Sequence, residues 1–207
     1  MYLITNRTLC SEEEYFKRIK EACLNGVKNI IIREKDLTDE EVKKIYEKIS
    51  NSIPSNIRKN TSILINSKIK AYEESDCDGI HLPFWLFKEK LQEGYNFKLG
   101  KQIGLSLHST DDIVEMEELC RKYDVEVSYI TLSHIYKTKC KEGLEPKGLE
   151  LLKKGGKLTK VKVVALGGID SSNAAETLKY CDDIAVMSLI MKSKDVKKTV
   201  EELVNCK

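Results

Sequence analysis

Two patterns alternate along this chain from end to end, and that alternation restricts the fold more than any single motif. Short apolar runs rich in β-branched residues occupy 2–5, 29–33, 62–65, 79–82, 102–107, 128–132, 162–166 and 183–187, eight in all. With them alternate eight longer segments whose apolar residues recur at helical spacing. Most of the runs are continuously apolar, as parallel strands covered on both faces are. Strict alternation of strand and helix gives a parallel sheet, either open and doubly wound or closed into a barrel. Eight repeats favour closure, and no G-x-G-x-x-G follows the first run, so the dinucleotide-binding form of the open sheet has no support. The expectation is a single-domain (β/α)8 TIM barrel over residues 1–207, a length near the lower edge for such barrels, with short loops.

The helical segments carry their own start signals. Ser11 with Glu14 forms a capping box ahead of Phe16, Ile19 and Cys23, and that helix stops at Asn25-Gly26. Thr38 with Glu41 forms a second box, followed by Val42, Ile45, Tyr46 and Ile49 on one face. Thr110, Ser171 and Ser193 are read as N-caps of three further helices.

Composition removes several function classes. The 35 basic and 33 acidic residues give a net charge of +2 and are interspersed, so no electrostatic footprint for nucleic acid emerges. The densest basic stretch, 153–162, reads as a solvated helix face in preference to a binding patch. No apolar stretch approaches the roughly 20 residues that span a bilayer, and "MYLITN" lacks the features of a signal peptide. A cytoplasmic protein without membrane contact is expected. The seven cysteines, Cys10, Cys23, Cys77, Cys120, Cys140, Cys181 and Cys206, are odd in number and never spaced C-x-x-C. They read as reduced, mostly buried thiols and not as a disulfide framework or zinc site.

Chemistry in this fold sits at the C-terminal ends of the strands, so strand position selects candidates. Gly167-Gly168 and Met187-Ser188 follow the seventh and eighth runs, where many barrels bind phosphate through bare backbone N–H groups. A tight turn needing positive φ is the alternative for the glycine pair. Arg33-Glu34-Lys35 ends the second run; Arg33 can grip a carboxylate or phosphate bidentately and Lys35 can add a point charge. His134 follows the sixth run as the best-placed acid–base group, with a strand-ending structural role equally open. His108 precedes a helix cap and His81 lies inside a strand, so both read as structural. Asp76 and Asp78 precede the fourth run and belong to the opposite end, while the mouth offers no carboxylate pair for a hard cation.

"IIREKDL", "ILINS", "DGIHLP", "IGLSLHS", "VVALGGI" and "IAVMSLI" resemble, in order and over nearly the whole chain, the thiamine phosphate synthase/TenI family. The resemblance implies one of two chemistries. The synthases join a pyrimidine pyrophosphate to a thiazole phosphate with Mg²⁺ holding the departing pyrophosphate, on Asp residues where this chain reads Asn66-Ser67 and Leu82-Pro83-Phe84-Trp85. The stretch "SHIYKTKC" instead is similar to TenI, the thiazole tautomerase, whose catalytic histidine carries over to His134. On that reading His134 moves one proton of a carboxylated dihydrothiazole phosphate and no cofactor is needed. Arg33 and Lys35 then hold the carboxylate, and Gly167, Gly168, Met187 and Ser188 bind phosphate. Thr138, Cys140 and Lys141 match the thiazole-contacting stretch, and Asn66 and Ser106 match pyrimidine-side positions. The resemblance thus favours a tautomerase. A synthase with altered metal ligands, for which Mg²⁺ would be the cofactor, and a non-enzymatic binding or regulatory protein are the alternatives. Small barrels commonly dimerise, so a homodimer is a candidate assembly.

Overall fold

Every apolar run of the sequence is a strand of the computed structural model, which describes residues 1–138, 141 and 143–206. The strands are β1 (Tyr2–Ile4), β2 (Asn29–Ile32), β3 (Ser62–Asn66), β4 (Gly79–Pro83), β5 (Gln102–Leu107), β6 (Tyr129–Ser133), β7 (Lys162–Leu166) and β8 (Asp183–Val186). They follow one another around a closed barrel in sequence order. The pairing is parallel, with Ile30 opposite Leu3 and Ile63 on either side, and with Thr131 opposite Ser106 and Val164. Seven of the sixteen strand ends differ from the sequence expectation, each by one residue, because a run of apolar residues does not mark where pairing stops.

The intervening segments form α1 (Glu12–Leu24), α2 (Asp39–Ser52), α3 (Ser55–Arg58), α4 (Ile69–Glu73), α5 (Phe84–Gln92), α6 (Thr110–Tyr123), α7 (Gly148–Leu158), α8 (Ala174–Thr177), α9 (Ser188–Met191) and α10 (Val196–Val204). Ten helices among the described residues replace the expected eight. Pro54 sets a one-turn helix apart from α2, and a separate turn follows β8 before α10.

The capping chemistry explains the starts. Thr38 and Glu41 form a reciprocal capping box, and Ser11 accepts from the Glu14 N–H at 3.3 Å. Thr110 is not the cap of α6; Ser109 is, accepting from the Asp112 N–H at 3.1 Å while the Asp112 carboxylate takes the Ser109 N–H at 3.0 Å. Ser171 does not cap α8, because the Asp170 carboxylate organises that turn through Ser172 and the helix begins at Ala174. Ser193 gives way to Asp195, whose carboxylate accepts from the Lys198 N–H at 2.9 Å.

The chain divides into two compact units, Met1–Ile80 with Val186–Lys207, and His81–Ala185. In the first, Ile30 to Ile32 and Ile63 to Ile65 are buried, as are Tyr15 and Ile19 of α1 and Val42 and Ile49 of α2. Asp78 stands in the turn before β4, bound to Arg58 at 2.9 Å and to the Ile63 N–H at 2.8 Å, a bracing role at the end away from chemistry. In the second unit Leu132 and Ile113 pack on Gly155 of α7, where a Cβ would come within 2.8 Å and 3.0 Å of them. That glycine admits close helix-to-strand approach. Lys154, Lys157 and Lys160 are exposed, so the basic stretch has a solvated face.

All six described cysteines are free, but only Cys23 and Cys77 are buried; Cys140 lies outside the described residues. The expectation of mostly buried thiols is corrected because Cys10, Cys120, Cys181 and Cys206 occupy turns or helix ends. Burial pushes the Cys23 thiol up to about 12, and those of Cys120 and Cys181 to about 11. Among the described residues no helix is long and apolar enough to cross a membrane.

Candidate active site

At the strand ends of the first unit the organising group is Glu34, which sequence reasoning passed over between its two cationic neighbours. Glu34 is only 4% exposed and accepts from the Thr5 hydroxyl at 2.6 Å, the Tyr15 hydroxyl at 2.9 Å and the Arg7 N–H at 2.9 Å. Thr5 Oγ1 in turn accepts from the Arg33 N–H at 3.1 Å. This network fixes the backbone from which Arg33 and the exposed Lys35 project. Burial, then the Glu34 charge, holds the Tyr15 phenol well above its ordinary value. Arg7 forms an ion pair with Asp36. After β3, the Asn66 amide donates to Ser67 Oγ at 2.9 Å, and Ser67 adopts a left-handed φ of +61°. Met187 and Ser188 are half-buried at the start of α9.

The second unit carries a buried polar column. Side chains alternate along β6, so Tyr129, Thr131 and Ser133 share one face, while Leu132 faces α7. His81 Nδ1 lies 2.9 Å from the Tyr129 hydroxyl and Nε2 lies 2.8 Å from Ser106 Oγ. The Thr131 hydroxyl also reaches Ser106 Oγ at 3.5 Å. His81 is therefore a satisfied core histidine, and it fixes the candidate Ser106. Gly104 makes room for this arrangement, because a Cβ there would fall 2.2 Å from the Tyr129 ring. His108 is tied to Ser133 through Nδ1, at 3.1 Å to the carbonyl and 3.0 Å to Oγ, the structural role expected of it.

His134 and Gly167 are brought together, but not as an open pair of catalytic and phosphate-binding groups. The peptide bond from Ser133 to His134 is cis, and His134 is 3% exposed, with Nε2 3.3 Å from the Leu144 carbonyl oxygen. Gly167 has φ of +103° and Gly168 +70°. A Cβ on Gly167 would lie 2.5 Å from His134 Cβ, and one on Gly168 would lie 2.6 Å from the Lys137 carbonyl oxygen. Turn geometry and close packing thus account for both glycines. Thr138 is half-buried, and burial with the nearby Lys147 charge pushes the Lys141 amine below its ordinary value. An open groove of about 1120 Å³ lined by Val127, Ser128, Val161 and Lys162 lies where β6 and β7 begin, away from the chemical end of such strands.

The Mg²⁺ implied by the family resemblance does not fit the donors present. Asn66 and Ser67 offer an amide and a hydroxyl, and the first turn of α5 reads Phe84-Trp85-Leu86-Phe87, with no carboxylate before Glu89. A hard dication needs anionic oxygen ligands. Among the described residues no three His, Cys, Asp or Glu side chains are grouped to hold a metal.

A family model described as thiamine monophosphate synthase matches residues 1–190. The chain is 31% identical to a thiamine-phosphate synthase of Persephonella marina, over 99% of this chain and 94% of the relative. It is 30% identical to a thiamine-phosphate synthase of Pyrococcus furiosus, over 98% and 92%. Among solved structures, thiamine phosphate pyrophosphorylase from Pyrococcus furiosus superposes with a TM-score of 0.79 at 27% identity, covering 99% of this chain and 93% of that one. These similarities overturn the tautomerase expectation. That expectation rested on the segment that begins at Ser133 and on the missing metal carboxylates after β3 and β4; Lys139 and Cys140 of the segment lie outside the described residues, and the histidine ring is enclosed. Similarity running through the whole barrel outweighs it, and the chain belongs to the thiamine monophosphate synthase family.

Proposed function

We propose that the chain is a transferase of the thiamine-phosphate synthase kind, joining a pyrimidine pyrophosphate to a thiazole phosphate. The observation that carries this reading is the match to synthases over essentially the full length, at 31% and 30% identity. In the reaction the thiazole nitrogen lone pair forms a C–N bond to the pyrimidine methylene carbon. The C–O bond breaks, and pyrophosphate departs with the bonding pair.

This coupling needs orientation of two rings and neutralisation of a departing polyanion more than it needs a histidine base, which agrees with an enclosed His134. Arg33 and Lys35 supply cationic contacts for phosphoryl oxygens, with Arg33 suited to a bidentate grip. In the second unit Lys141 is a further cation, and its partial burial strengthens any contact to an anion. Backbone N–H groups at Gly167 and Gly168 are assigned to the phosphate of the thiazole. Ser106 is assigned to an edge of the pyrimidine: in the tautomer whose Nε2–H donates from His81 to the Ser106 oxygen, the Ser106 proton is left to donate onward. Asn66 and Thr138 contribute further polar contacts. Among the described residues no group of carboxylates is placed to hold Mg²⁺.

Incubation of the purified chain with both substrates, following thiamine phosphate and pyrophosphate, tests the reading. One pyrophosphate released per thiamine phosphate formed is the expected result. Absence of both products, with and without added Mg²⁺, would overturn it.

A further inference from the structure

Trp85 is the single tryptophan of the chain and is 63% exposed. It stands in the first turn of α5, two residues past Pro83, at the strand end where barrels place their chemistry. Phe84, Leu86 and Phe87 around it are buried, and the other outward positions of α5 are polar, Lys88, Glu89 and Gln92. Packing therefore does not require an indole at this position. Among the described residues nothing hydrogen-bonds to it or stacks on it. The next strand end around the barrel is that of β5. Near that strand end Ser106 is held by His81 and Thr131, a polar group for the edge of the ring.

We propose that Trp85 is a stacking platform for the planar heteroaromatic ring of one of the two substrates. The inference rests on the transferase reading, since both of that reaction's substrates carry such rings. An indole face gains more from a flat heterocycle than from an aliphatic chain or a bare anion.

The lone tryptophan makes its own reporter. Intrinsic tryptophan emission of the full chain is followed during titration with pyrimidine pyrophosphate, thiazole phosphate, inorganic pyrophosphate and inorganic phosphate. One ring-bearing ligand is expected to quench and shift the emission, while the ring-free anions leave it unchanged; which ligand does so identifies the ring. Trp85→Ala is expected to raise KM for that substrate about 5- to 100-fold, with Trp85→Phe restoring most of the loss. Equal responses to ring-bearing and ring-free anions, or unaltered KM values in Trp85→Ala, would overturn the platform while leaving the transferase intact. Wild-type protein that forms no product would overturn the transferase reading. In that protein a ring-specific emission change would still uphold the platform, and its absence would sink both.

Discussion

Replacing Glu34 by glutamine changes almost no volume but removes the charge on which three hydrogen bonds from Thr5, Tyr15 and Arg7 converge. With the amide oxygen kept at the Thr5 and Tyr15 hydroxyls, the new NH₂ group opposes the Arg7 N–H, donor against donor. With the amide flipped, NH₂ faces Thr5 Oγ1, which already accepts from the Arg33 N–H. Either way at least one charge-assisted bond at a buried site is lost, at a cost of about 1.5–3 kcal/mol. For a chain of this size each kcal/mol moves the melting temperature by about 2–4 °C, so Glu34→Gln is expected to melt about 3–12 °C lower. Glu34→Ala strips the acceptor from the Thr5 and Tyr15 hydroxyls, both fully enclosed, and leaves a cavity, so its loss is larger, about 3–5 kcal/mol. Calorimetry on the two variants at neutral pH measures both. A Glu34→Gln protein melting within a degree of wild type, or an alanine variant milder than the glutamine one, would refute Glu34 as the hub joining β1 to β2.

Tyr15 supplies a pH signature of the same hub. Its folded-state pKa lies above the unfolded value of 10.0, so its contribution to stability is whole below pH 10 and is lost as pH rises through the raised value. Urea midpoints taken from about pH 9 to pH 11 should fall less steeply in Tyr15→Phe than in wild type. Gly104→Ala drives a methyl group into the Tyr129 ring, 2.2 Å away, and should cost about 1–3 kcal/mol or more in denaturant unfolding. Thr38→Ala removes one half of the capping box on α2 and should cost about 1 kcal/mol in the same assay, without changing turnover. Ser106→Ala should lower kcat/KM about tenfold, through loss of one substrate hydrogen bond.

The barrel was legible because its signal is local and repeated: each strand and each long helix shows its period within a dozen residues. Caps were less so, although the choice between Ser109 and Thr110 was present in the spacing. Asp112 stands three residues after Ser109, whereas Ile113 stands three after Thr110, and only the first pair can bond reciprocally. Glu34 had no such signature. Its partners lie 29, 27 and 19 residues away, and within its own triplet it reads as a surface acid between two cations. Gly104 and Tyr129 are likewise 25 residues apart, so the glycine looks like a weak point in a strand until the ring it accommodates is known. The histidine at 134 misled for the converse reason. Its place after a strand suggested chemistry, but a residue's position on the chain says which end of the barrel it occupies and not which way its ring turns. Here the ring turns toward the carbonyl of Leu144, ten residues on, while the indole of Trp85, at a strand end that the metal argument had treated as deficient, stands open to solvent. That strand end carries no carboxylate in the first turn of α5, and an exposed aromatic group stands there instead.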